Sequence, residues 1–163
     1  MKILIKRAEI EDLEAVLSLY YDTVKLINSE HYSHEQIEAW LDDETRPQRF
    51  SEKIENQLFY VCKNENDELL GFSSITEDGY LDMLYASNKL QRKRVGTLLL
   101  EQMLIAAKIR HLESIEADVS ITAVPFFKSH GFEIVKEQHV ERNGLKLTNF
   151  RMTKSYVAEN ENK

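Results

Sequence analysis

Apolar and polar positions divide this chain into short alternating runs and longer stretches with helical period. Residues 2–7, with the apolar run Ile3-Leu4-Ile5, read as a first strand. From Asp12, the apolar positions Leu13, Val16, Leu17, Tyr20, Val24 and Ile27 recur at 3.6-residue spacing, which predicts a helix with one face on a sheet. Ser33-His-Glu-Gln36 has the form of a capping box and starts a second helix that buries Ile37, Trp40 and Leu41. Residues 48–55 predict a third, short helix with Phe50 and Ile54 inward. Residues 58–62 and 69–75 read as a hairpin, and Asp78-Gly79 turns the chain into a strand over 80–86. Val95, Leu98, Leu99 and Met103 then mark a long helix to about residue 110, crossing to a strand at 114–119 parallel to the 80–86 strand. A short helix over 122–130 stops at Gly131, a left-handed cap residue. Residues 132–140 and 145–152 form a second hairpin around Asn143-Gly144.

The pattern predicts one α/β (α+β) domain over residues 1–155 and a C-terminal tail over 156–163. Its sheet is mixed and mostly antiparallel, of about seven strands, with helices on both faces. At 163 residues the chain is long enough to bury roughly 70% of its unfolded surface. Hydrophobic residues at 42% and charged residues at 30% exclude a disordered or membrane-spanning chain. No long apolar run or signal peptide stands at the N-terminus, so a cytoplasmic location is expected. Lone Cys62, in an apolar strand, reads as a structural thiol. The five histidines show no metal-ligand spacing, so no metal is expected. A net charge of −7 and a pI near 5.3 argue against nucleic acid and favour a cationic small-molecule partner.

Gln91-Arg92-Lys93-Arg94-Val95-Gly96 lies between a strand and a helix. Unpaired N–H groups at a helix start, the helix dipole and three basic side chains together suit a phosphate. Any solvated helix start can also carry three bases, and the spacing shifts the balance toward the phosphate reading. It resembles the acyl-CoA signature Q/R-x-x-G-x-G/A of the GNAT N-acetyltransferase superfamily. Ala123-Val-Pro-Phe126-Phe127-Lys-Ser-His-Gly131-Phe132 is similar to that family's second landmark, a short helix with an aromatic pair and then Gly-Phe opening a strand. Two positions depart from the pattern. Arg94 replaces the first signature glycine, and Phe127 stands where many members have a tyrosine that protonates the leaving sulfur.

The resemblance implies an acetyl-CoA-dependent N-acetyltransferase acting on the primary amine of a small molecule or peptide. The strands over 80–86 and 114–119 should splay, with the pantetheine arm on Leu84, Tyr85 and Ala86. The pyrophosphate would rest on the loop and first turn formed by Gln91, Arg92, Lys93, Arg94, Val95, Gly96 and Thr97, with Phe127 nearby. An alkylamine with pKa near 10.4 needs roughly 4–5 kcal/mol to reach its neutral form at pH 7, so a base is sought. Asp82 is the candidate, with Tyr80, which falls where several members keep a glutamate. Strict alternation puts Asp82 on one strand face with Tyr80 and Leu84. The alternative for Asp82 is an ion pair with a nearby Lys or Arg. A thiolate with reference pKa near 8.5 leaves for about 2 kcal/mol, so Phe127 does not forbid the reaction.

His31, Tyr32, Trp40 and Asn149, with Phe150, are the acceptor-pocket residues the resemblance implies, while Trp40 also suits a core. An aromatic pocket with acidic edges would take a cationic amine. His130 reads as a helix-end residue. The rival reading is a CoA-binding sensor or interaction module without catalysis. The C-terminal hairpin offers an edge for a homodimer.

Overall fold

A computed structural model describes residues 2–87 and 93–156. Among them are seven strands and five α-helices. Strands β1 (Ile3–Arg7), β2 (Leu58–Asn64), β3 (Leu69–Ile75) and β4 (Leu81–Ala86) form an antiparallel sheet in that order. Strands β5 (Ser114–Ser120), β6 (Glu133–Arg142) and β7 (Leu145–Ser155) form a second, in the order β5-β7-β6. The sheets meet at one parallel bridge, Tyr80 to Glu116, where Glu116 N–H donates to the Gly79 carbonyl over 3.0 Å. The parallel pairing expected of these strands is thus confined to one end, and the seven strands divide into two sheets.

Helices cover both faces of the first sheet. Helix α1 (Leu13–Leu26) buries Val16, Tyr20 and Val24, as its spacing predicts, and also Leu19, while Leu13, Leu17 and Ile27 are half-buried. With α2 (His34–Leu41) and α3 (Arg46–Asn56) it packs over Phe59, Val61, Phe72 and Met83. Ser33 caps α2 as the sequence indicates, accepting from Gln36 N–H while Gln36 Oε1 accepts from Ser33 N–H. On the other face lies α4 (Lys93–Ile109), which buries Val95, Leu99, Leu100, Met103 and Ala107.

Gly71 on β3 sets the distance of α4. A methyl group there would come within 2.8 Å of Leu99 Cδ1 and of the Tyr85 carbonyl oxygen, and 2.9 Å of Val95 Cγ1. Only a bare backbone lets the first turns of α4 lie this close to the sheet. The position of the α4 N-terminus therefore depends on a residue twenty-odd positions upstream, inside a strand.

Helix α5 (Val124–Ser129) ends at Gly131, with φ +89°, and the Phe132 N–H reaches back to the Phe127 carbonyl over 3.1 Å. Asn143 and Gly144 both take positive φ, the geometry of a tight turn between β6 and β7. The core extends to Tyr156, which is 6% exposed and donates its N–H to the Glu113 carbonyl.

Candidate active site

Beyond the Tyr80–Glu116 bridge, β4 and β5 pair with each other nowhere else among the described residues. The gap opens into a cavity of about 400 Å³, within the range of small-molecule sites. The Ser87 N–H goes to Leu70 on β3, so two-residue alternation turns the N–H and C=O groups of Ala86 and Leu84 toward the gap. One wall is therefore a strand edge without a strand partner.

The end of this wall is met by α4. The first four N–H groups of a helix have no intrahelical acceptor, and no acidic residue stands in the first turn of α4. Gly96 lines the cavity with the Phe126 ring against it, at 3.4 Å from where a Cβ would lie. Arg94 is exposed and helical, not in the left-handed region, so its replacement of a signature glycine stores no backbone strain. Thr97 Oγ1 lies 3.4 Å from His130 Nε2. His130 Nδ1 donates to the Phe126 carbonyl over 2.9 Å, which fixes this histidine at the helix end. Gln91 and Arg92 lie outside the described residues, as does the side chain of Lys93.

Phe127 is 5% exposed and packs edge-on against Phe126 and Phe132, on the same cavity wall. Tyr85 lines the cavity too, but its ring continues an aromatic run through Phe72, Phe59 and Tyr20. Burial pushes its hydroxyl well above the usual tyrosine range.

Asp82 also lines the cavity, but not as alternation would place it. Ser74 pairs with Met83 and Ile75 with Leu81, so Asp82 is the extra residue of a β-bulge. Leu84 belongs to the α4 side, whereas the Asp82 carboxylate is turned to α3. There its Oδ2 accepts from Lys53 Nζ at 2.8 Å and from Gln57 Nε2 at 2.9 Å. Among the described residues Oδ1 has no protein partner, and the side chain keeps 16% of its surface exposed.

A second carboxylate on the wall, Asp118, is fully engaged. Its Oδ1 accepts from Arg151 Nε and Gln138 Nε2, and its Oδ2 from Tyr80 Oη and Arg151 Nη2. Burial alone would raise the Asp118 carboxyl, but these hydrogen bonds and the Arg151 charge outweigh it and hold it below the usual carboxylate range. The same contact spends the Tyr80 hydroxyl, whose pKa burial and then Asp118 push well above the usual tyrosine range. Tyr80 is thereby a donor to Asp118 and not a partner of Asp82.

On the acceptor side, Tyr32 is 6% exposed; its hydroxyl donates to the Thr148 carbonyl over 2.6 Å and accepts from the Ile121 N–H. The Trp40 ring meets Tyr32 edge-on, and its Nε1–H donates to Tyr20 Oη. Both line the cavity, as does Asn149, whose Oδ1 accepts from Gln138. His31 is exposed and stands off the wall, 2.9 Å from the Thr122 hydroxyl. Phe150 packs into the core beneath α4 instead.

Sequence spacing does not single out Gly71, Lys53, Asp118 or Arg142, which the fold brings to or beneath this site. Arg151 is legible only through register, since it pairs with Asp118 across β7 and β5.

Residues 28–154 match the family model described as an acetyltransferase (GNAT) domain. The uncharacterized N-acetyltransferase YafP of Escherichia coli strain K12 is 35% identical over 142 residues, covering 86% of this chain and 88% of that protein. A GCN5-related N-acetyltransferase structure from Rhodopseudomonas palustris superposes with a TM-score of 0.88 at 26% identity, over 95% of this chain and 96% of that one. The PaiA N-acetyltransferase of Thermoplasma acidophilum, solved in complex with coenzyme A, superposes with a TM-score of 0.76 at 23% identity, over 96% and 100% of the two chains.

Proposed function

Since this chain belongs to the GNAT acetyltransferase family, we propose that it transfers the acetyl group of acetyl-CoA to a primary amine, with Asp82 as the proton acceptor. The observation that carries the proposal is the unpaired edge of β4 running into the N-terminus of α4. These residues suit the cosubstrate. Leu84 and Ala86 offer main-chain groups to an amide-bearing arm, the first turn of α4 offers N–H groups to phosphate, and Gly96 leaves room beside Phe126. Arg92, Lys93 and Arg94 add positive charge by sequence.

Acetyl-CoA supplies a thioester whose carbonyl carbon forms the new bond to nitrogen as the bond to sulfur breaks and the thiolate leaves. The chain's task is to deliver a neutral amine and take up its proton. Oδ1 of Asp82 is left for that, because Lys53 and Gln57 hold Oδ2 and fix the orientation of the group. The proton reaches it directly or through one water. Phe127 cannot return a proton to sulfur, so the thiolate leaves as such, at a cost of about 2 kcal/mol at neutral pH.

A rival reading, a CoA-binding module without turnover, draws on Phe127 and on the Lys53 ion pair. Thiol release from acetyl-CoA across an amine panel, with calorimetric titration of coenzyme A alongside, separates the two. Amine-dependent release supports acetyl transfer; binding without release on any amine supports the rival.

A further inference from the structure

A second cavity of about 320 Å³ adjoins the cleft at Asp82. The two share Trp40, Asp82, Met83, Tyr85 and Arg142 as common wall, so whatever meets the free oxygen of Asp82 from the thioester side has its remainder directed into the second space.

The rim of that space is cationic in an acidic chain. Four bases, Arg46, Arg49, Lys53 and Arg142, face three carboxylates, Asp42, Asp43 and Asp82. Most of these charges are matched. Asp43 lies 2.5 Å from Arg49 and 3.9 Å from Arg46, and Asp82 lies 2.8 Å from Lys53. Arg46 is 6% exposed, with its guanidinium over the Tyr20 ring and on the carbonyls of Leu41 and Trp40. Asp42 accepts from Asn143 Nδ2 in the β6–β7 turn.

Among these bases Arg142 is the exception: at the end of β6 its side chain donates to the neighbouring Glu141 carbonyl, and among the described residues no carboxylate lies within ion-pair distance of it. Asp43 and Asp82 are thus engaged by bases and Asp42 by the Asn143 amide, and the base left without a carboxylate is Arg142, whose planar guanidinium fork matches a carboxylate.

We infer that the acceptor is an amino acid: a small molecule carrying a carboxylate on the same skeleton as its amine, with Arg142 binding the carboxylate and Asp82 meeting the amine. Trp40, fixed by Tyr20 and Tyr32, supplies the apolar surface between them. A polyamine would bring a second cation against Arg142 and is disfavoured. The inference rests on the acetyl-transfer reading and names the substrate class of that site.

The test pairs free amino acids of small, aliphatic and aromatic side chain with their carboxamides, with spermidine as the polycation. Thiol release should favour at least one acid over its amide by roughly tenfold or more in kcat/KM. Arg142→Gln, at an exposed position, should bring that ratio close to one while coenzyme A affinity stays within about twofold. Calorimetry of the coenzyme A-loaded protein with the same pairs reads the preference without turnover. Absence of thiol release with every amine would count against acetyl transfer alone. Equal or absent binding of acid and amide, a preference for spermidine, or a preference unchanged in Arg142→Gln would overturn the carboxylate assignment.

Discussion

The cleft between β4 and β5 and the cavity behind Asp82 share a wall but are built from different materials. The cleft presents a strand edge, a helix start and the rings of Phe126 and Phe127, whereas the second cavity is ringed by charged side chains. Main-chain groups are supplied by almost any sequence that makes the fold, so the cleft suits a constant ligand. Side chains at a rim can change one at a time without disturbing the sheet, so the second cavity suits the partner that differs between relatives. Asp82 stands where the two meet.

The two carboxylates on the cleft wall sharpen the contrast. Asp118 accepts four hydrogen bonds and has no capacity left, while Asp82 keeps one oxygen open. The largest effect is therefore expected from Asp82→Asn, which should lower kcat by roughly 10²–10⁴-fold while leaving coenzyme A affinity near the wild-type value. Equal losses in turnover and cofactor affinity would reassign Asp82 to structure, with its ion pair to Lys53 as the reason.

Gly71→Ala probes the cleft from beneath. The added methyl cannot fit between β3 and α4 without moving the helix, so a loss of stability of about 1–3 kcal/mol is expected in urea unfolding, with weaker coenzyme A binding. Full stability in this variant would mean that α4 is not seated on the sheet as described.

Asp118→Asn should act on stability more than on chemistry, by about 1–3 kcal/mol at pH 7, because it removes a charged partner of Arg151 and Tyr80. A carboxyl held below its unfolded value near 3.9 stabilises the fold fully above that pH, and the contribution is lost as pH falls through the lower folded value. Asp12 belongs to the same class; burial opposes its ionised form, but the Glu9 N–H and Lys63 outweigh it. The acid limb of unfolding should therefore be shallower in Asp118→Asn than in wild type. A parallel limb would show that the Asp118 network contributes nothing to folding.

The fold was legible where local chemistry determines it. Apolar spacing placed α1 and α4, the Ser33–Gln36 box started α2, and Gly131 and Asn143-Gly144 marked turns that require positive φ. The site was legible where it coincides with such signals, as at Gly96, and where the family resemblance supplied candidates, as at Tyr32, Trp40 and Asn149, which line the cavity. Alternation could not reveal the bulge at Asp82, because one extra residue in a strand leaves no periodic trace until its partner strand is known. Lys53 and Arg142 reach the site from α3 and from the end of β6, and which lysine meets which aspartate is fixed only by tertiary packing. Gly71 looks like any glycine in a strand until α4 is laid over it.

The central claim is that a nucleotide-bearing thioester is gripped by main-chain amides where β4 meets α4. Residue-resolved amide exchange with and without coenzyme A tests it most directly. Slowed exchange at Leu84, Ala86 and Arg94 to Thr97, with β1 and β6 unchanged, is the predicted result. Saturating coenzyme A that leaves those amides as they were, or protects only amides elsewhere, would contradict it.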